Sequence, residues 1–168
     1  MTSLDLRRVR LRSGEEERGR HEIALDPLIF GGQRYVPVPE KPEAEVTISR
    51  ASTDTVFDLR FVGRLHGPCQ RCLADAVVER TISAREYQAT NGDDDELRTP
   101  YVVDDRLDLS AWARDALALA LPDQILCRED CAGLCPVCGA DLNVEPHEHE
   151  EETADPRWAA LEQLRGRL

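Results

Sequence analysis

Phe57-Asp58-Leu59-Arg60-Phe61 is the stretch on which the fold turns. Apolar and charged residues alternate without a break, and successive side chains of an extended chain point to opposite faces. The pattern predicts a half-buried antiparallel strand, with Phe57, Leu59 and Phe61 inward and Asp58 and Arg60 in water. Extended character resumes over 77–87. The two runs make a hairpin, and Cys69 and Cys72 fall on its connection.

Upstream, 46–49 is a short β-branched run that reads as another strand. The segment 36–42 contains three prolines and reads as a stiff extended connector, because proline fixes φ and lacks the ladder donor. At the start, 4–12 partly alternates and would place Arg8, Arg10 and Arg12 on one strand face. A solvated edge strand is the expectation there, with an RNA-facing strip as the sharper alternative. Asn91-Gly92 opens a turn, followed by an acidic loop over 93–96.

Downstream, Leu109, Trp112, Ala113, Ala116, Leu117, Ala120 and Leu121 recur at helical spacing and form one apolar stripe. A helix over 109–121 follows, with Asp108 or Ser110 as cap and Pro122 as stop. Near the end, Asp155-Pro156 is a helix start and Gly166 a stop, and Trp158, Leu161 and Leu164 share one side of the short helix between them. A helix that short needs a surface to dock on.

The fold class expected is therefore α+β: an antiparallel β-rich sheet or partial barrel, packed by one main helix, with a zinc-binding C-terminal segment. Residues 1–122 form the β-rich core with its helix, 123–150 the zinc-binding segment, and 151–168 an acidic linker with the docking helix. All three belong to one structural unit.

Hydrophobic residues are 41% of the 168, enough for a core, but aromatics are only 5%, so Leu, Val, Ile and Ala must build it. No stretch is apolar for long enough to span a bilayer, and 1–12 has charges where a secretion signal would be apolar. The expectation is a cytoplasmic bacterial protein, where six cysteines are metal ligands rather than disulfides. Residues 1–92 carry 14 basic and 14 acidic side chains, whereas 93–168 carry 7 and 19, which supplies the whole net charge of −12. That half repels phosphate and suits a basic protein partner, or solubility alone.

The chemistry lies in four pairs: Cys69-x2-Cys72, Cys127-x3-Cys131, Cys135-x2-Cys138 and His147-x-His149. Structural zinc takes four tetrahedral sulfur or imidazole donors, and two cysteines two residues apart chelate one ion. Cys135-Pro136-Val137-Cys138-Gly139 has the form of a zinc knuckle, with Gly139 free to take a positive φ. Eight ligands make two sites and one or two zinc ions per chain. The preferred division is Cys69, Cys72, Cys127 and Cys131 for one site, and Cys135, Cys138, His147 and His149 for the other. A local four-cysteine site at 127–138 is the rival. His147 and His149 lie in an acidic tract, where plain solvation competes with ligation. His66 reads as a strand-end histidine, and His21 has no suggestive neighbour.

Four strings carry a family resemblance: Gly67-Pro68-Cys69-Gln70-Arg71-Cys72-Leu73; Asp108-Leu109 with Leu117-Ala118-Leu119-Ala120-Leu121-Pro122; Cys131-Ala132-Gly133-Leu134-Cys135-Pro136-Val137-Cys138-Gly139-Ala140-Asp141-Leu142-Asn143; and Asp155-Pro156-Arg157-Trp158. In this order and spacing, over about 60–165, the chain resembles the YceD family of bacterial and plastid proteins. Members often carry Cys-x-Cys where this chain has His147-x-His149, a replacement of one zinc-ligand pair by another. The resemblance implies a role in accumulation of large-subunit ribosomal RNA, and the family is also described as metal-binding and nucleic-acid-binding.

Three functions compete. The first is a non-enzymatic ribosome-biogenesis factor that contacts a ribosomal protein, large-subunit ribosomal RNA, or both, with no membrane and no small-molecule substrate. The second is a zinc-stabilised interaction module without a ribosomal role. The third is an enzyme, a thiol oxidoreductase or zinc hydrolase, and it is the weakest. A catalytic zinc keeps an open position beside three protein ligands, whereas the sets here close at four. No glycine-rich nucleotide loop and no spare cysteine–histidine dyad are present.

Overall fold

Strand β6 (Asp54–Pro68) is the spine of the computed structural model, which describes residues 1–90 and 98–149. The alternation at 57–61 continues far beyond its first five residues: Phe57, Leu59, Phe61, Gly63, Leu65 and Gly67 are buried, while Arg60, Val62, Arg64 and His66 are exposed. Strand β7 (Asp75–Gln88) pairs antiparallel with β6 along one edge, from Thr55↔Gln88 to Pro68↔Asp75. The opposite edge takes two shorter strands in succession. Strand β5 (Glu43–Ala51) lies beside residues 54–61, and β4 (Gln33–Pro37) meets Leu65 and His66. Strand β2 (Glu16–Glu22) extends the sheet beyond β5, and β3 (Leu28–Phe30) extends it beyond β4. The result is an open antiparallel sheet. A second, three-stranded sheet has the order β1 (Ser3–Asp5), β9 (Arg106–Asp108), β8 (Val102–Val103).

Helix α1 (Leu109–Leu119) begins where Asp108 accepts the Ala111 N–H at 3.0 Å, satisfying one of the free donors of the first turn. Its stripe points into the core: Leu109, Trp112, Ala113 and Leu117 are buried, and Ala116, Ala120 and Leu121 pack against them. Leu119, off the stripe, is 89% exposed. The helix lies close over β6 because Gly63 has no side chain. A Cβ there would sit 2.6 Å from Leu117 Cδ1. Tyr101 stacks on Trp112 with ring centroids 6.3 Å apart.

Two expectations are corrected. The 4–12 run is not one edge strand, because after β1 the chain makes a 3-10 turn, Leu6–Arg8, started by the Asp5 carboxylate on the Arg7 N–H. The turn brings Leu4, Leu6, Val9 and Leu11 against the core and leaves Arg8, Arg10 and Arg12 in solvent without a strand face. The 36–42 connector is shorter than its prolines suggested. Val36 and Pro37 end β4, where a terminal proline costs the ladder little.

The chain divides into two compact units, Met1–Cys131 and Ala132–Leu168. The first holds both sheets, α1 and the hydrophobic core. The second, as far as residue 149, is built of turns and one antiparallel bridge, Leu134↔Asp141. Its apolar side chains Val137 and Val144 are 70% and 75% exposed, so no apolar core holds it among the described residues. The acidic loop at 93–96 and the docking helix with Trp158, Leu161 and Leu164 lie outside the described residues.

Candidate metal centres

The core face of β6 does not stop at Pro68. Cys69 is the next residue on the buried side and is fully buried at the bottom of the β6–β7 turn. The turn is closed by Cys69 N–H on Ala74 O (2.7 Å) and Leu73 N–H on Cys69 O (3.0 Å), with Leu73 at φ +63°. This curl brings Cys72 back beside Cys69. After α1 the chain passes the turn, where Gln70 N–H donates to Ile125 O (2.9 Å) and Gln70 Oε1 accepts from Ile125 N–H (3.2 Å). Gln70 Nε2 also donates to Phe30 O (3.3 Å), and Arg71 donates to Cys131 O (3.0 Å) and Gln124 Oε1 (3.1 Å). Cys127 and Cys131 are thereby delivered to the first pair. Gln70 and Arg71, which sequence reasoning passed over, are the residues that stitch the two segments together. Their place between the cysteines gave no hint of it, because their partners come from distant segments.

The four sulfurs of Cys69, Cys72, Cys127 and Cys131 lie within 4.8 Å of one another. Cys69 and Cys131 are 3.8 Å apart at Sγ, and Cys72 and Cys127 3.6 Å. Tetrahedral zinc with bonds of about 2.3 Å requires sulfurs about 3.8 Å apart. The donor set therefore fits such an ion. Burial pushes the Cys69 thiol up, but the N–H groups of Cys72, Arg71 and Cys127 outweigh it and bring it to about 6. The opposite holds at Cys127, pushed up to about 12, first by the Cys72 side chain and then by burial. At Cys72 the Ala74 N–H favours the thiolate, yet burial and the neighbouring Cys131 and Cys69 raise it. Four thiolates cannot coexist this closely alone, and a divalent cation removes the conflict.

The second cluster lies wholly within the second unit. Cys135 N–H donates to Ala140 O (2.8 Å) and Gly139 N–H to Cys135 O (2.9 Å), with Gly139 at φ +75°, the turn a knuckle needs. Asn143 Oδ1 accepts the Ala132 N–H (2.8 Å), and Asp141 Oδ1 accepts the Asn143 N–H (2.9 Å). Donor atoms of Cys135, Cys138, His147 and His149 all lie within 4.8 Å of one another. Cys138 Sγ is 3.1 Å from His147 Nε2. His147 Nδ1 is 2.8 Å from Glu145 O, a contact that fixes the proton on Nδ1 and leaves Nε2 to a metal. The Cys138 N–H brings the Cys135 thiol down to about 6, and Glu145 O, then Cys135, hold His147 above its ordinary value. Cys135 is buried, while Cys138 and His149 are exposed.

The eight residues singled out by spacing thus meet in two groups of four, each able to hold a metal ion. His66 instead faces Asp75 at 3.8 Å, half exposed, and His21 joins neither cluster.

No solved structure matches the chain. An uncharacterized protein of Mycobacterium tuberculosis is 41% identical over 105 residues, which is 60% of this chain and 50% of the relative. One of Mycobacterium leprae is 38% identical over 113 residues, 62% of this chain and 52% of the relative. The chain spans about half the length of these mycobacterial relatives. YlbN of Bacillus subtilis, also uncharacterized, is 31% identical over 137 residues, 79% of this chain and 76% of the relative. A family model described as large ribosomal RNA subunit accumulation protein YceD matches residues 57–165, the span that holds both cysteine clusters, and the chain belongs to that family.

Proposed function

We propose that this chain is a non-enzymatic zinc-binding factor of ribosome biogenesis, which supports accumulation of large-subunit ribosomal RNA by contacting a ribosomal protein or that RNA. The observation that carries the reading is the family match over 57–165. Zinc is favoured among metals by the donor sets, six thiols and two imidazoles, since hard cations take oxygen. Both sets close at four and leave no position for a reacting water, which supports a structural ion over a catalytic one. The acidic excess of 93–168 favours a basic protein over naked phosphate, because charge neutralisation dominates RNA affinity.

The test is depletion of the protein in its own cell, with the ratio of large- to small-subunit ribosomal RNA as readout. The ratio falls, and the wild-type chain restores it. An unchanged ratio contradicts the proposal. Capture of bound partners before and after nuclease treatment then separates a protein contact, which survives, from an RNA contact, which does not.

A further inference from the structure

Four thiolates around one divalent ion leave a formal charge of −2 on the first cluster, whereas two thiolates and two neutral imidazoles leave none on the second. The difference matters because Cys69, Cys72 and Cys131 belong to the buried core. A charge held in such surroundings is costly unless donors or an opposite charge meet it. The backbone N–H of Arg71 meets part of it, 3.5 Å from Cys69 Sγ. An amide is only a dipole, however, and a net charge calls for a cation.

The two ligand-bearing loops, 69–75 and 123–131, hold two cations, Arg71 and Arg128. Arg128 is engaged with Asp130 at 3.2 Å, so its charge is already answered. Arg71 differs. Its guanidinium donates to Cys131 O (3.0 Å) and Gln124 Oε1 (3.1 Å), both neutral oxygens. No carboxylate among the described residues lies within ion-pair distance of it. Two hydrogen bonds thus hold an unmatched positive charge against the carbonyl of a ligand residue. The side chain is exposed, so it keeps water on its outer side and loses little hydration by staying there. The second cluster shows the converse. Residues 132–149 include Asp141, Glu145 and Glu148 but no lysine or arginine, as suits a site without net charge.

We infer that Arg71 is the counter-ion of the four-cysteine site: its charge, acting through Cys131 and the neighbouring thiolates, raises the affinity of that site for a divalent metal. The inference rests on the zinc reading proposed above. It goes beyond the bridging role of the Arg71 hydrogen bonds, which a neutral donor could fill.

Zinc affinity tests it, measured by competition with a coloured chelator in the full-length chain carrying His147→Ala and His149→Ala, which disables the second site. Arg71→Lys keeps the charge and loses the planar fork, Arg71→Gln keeps a donor and loses the charge, and Arg71→Glu reverses the charge. Affinity follows the charge. Arg71→Lys stays close to the unchanged chain, Arg71→Gln loses about tenfold to a hundredfold, and Arg71→Glu loses more. Cobalt(II) in place of zinc gives the absorption of a tetrahedral four-sulfur site, and its bands keep their positions in Arg71→Gln, which separates lost charge from lost geometry. An Arg71→Gln chain as tight as the unchanged one overturns the inference and leaves the zinc reading standing. Arg71→Lys as weak as Arg71→Gln, Arg71→Gln and Arg71→Glu alike, or displaced cobalt bands would reduce Arg71 to a bridge and overturn it as well. A chain with Arg71 in place that takes up neither zinc nor cobalt removes the zinc reading itself, and the inference with it.

Discussion

At Cys69, position and chemistry coincide. It is the next inward residue of a strand whose alternation begins at Phe57, so the hydrophobic core and the four-cysteine cluster share one face of one strand. Its thiol ionises near 6, whereas Cys127 is held near 12 by Cys72. At neutral pH an incoming ion must therefore displace the Cys127 proton, while little proton remains on Cys69. Protons compete with metal at every such thiol, so zinc affinity rises with pH through the neutral range and falls on acidification. The dependence is about tenfold per pH unit for each proton displaced. Competition with a coloured chelator at pH 8 and pH 6 measures it. Affinity that does not change between the two would mean that thiolates are not the ligands. Gln70, by contrast, was illegible in sequence: an amide between two cysteines looks like filler until its partners, Phe30 and Ile125, are seen converging from distant segments.

Elements were legible in proportion to their periodicity. The β6–β7 hairpin and α1 carry long patterns of period two and 3.6, and each forms where the pattern lies, with ends displaced by a few residues. Strand β2 carries no such signal. Its sequence, Glu16-Glu17-Arg18-Gly19-Arg20-His21-Glu22, is almost wholly polar, and the backbone ladder to β5 holds it, with Arg20–Glu43 at 3.2 Å across the pair. The Arg8, Arg10, Arg12 alternation misled for the converse reason: a turn at Leu6–Arg8 resets the period, and local alternation cannot report a turn inside itself. Close approach is equally invisible. Gly63 reads as a gap in the strand pattern, yet it is where Leu117 of α1 sits against the sheet. Gly63→Ala forces the helix off β6 and destabilises the first unit by about 1–3 kcal/mol, as overpacked cores do. Urea unfolding checks this, and an unchanged midpoint would show that the helix yields freely.

Over the whole molecule the two clusters stand on unequal foundations. Cys69, Cys72 and Cys131 belong to the buried core of the first unit, whose sheets and helix supply their own apolar packing. The second unit, between 132 and 149, offers Cys135 as its one buried side chain and otherwise exposes Leu134, Val137 and Val144. Small folds without an apolar core depend on a staple such as metal. Replacing Cys69 and Cys72 by Ser therefore lowers the melting temperature of the entire chain, since it severs the turn from the segment after α1. Replacing His147 and His149 by Ala releases the second unit and leaves the main transition nearly where it was. Equal losses, or the reverse order, would show that the pairs are shared differently between sites. The spacing of cysteines pointed to ligand pairs and favoured one division between sites, but only the register of β6 against the post-helix segment determines which pairs meet in the first unit.

Metal content decides whether the eight side chains hold zinc in two closed sites. Protein purified without chelator and without added metal, analysed for elements and for free thiols under native conditions, contains two zinc ions per chain and six cysteines that react only after the metal is withdrawn. A folded chain that holds no zinc, with all six thiols reacting at once, would mean that the two clusters are not zinc sites.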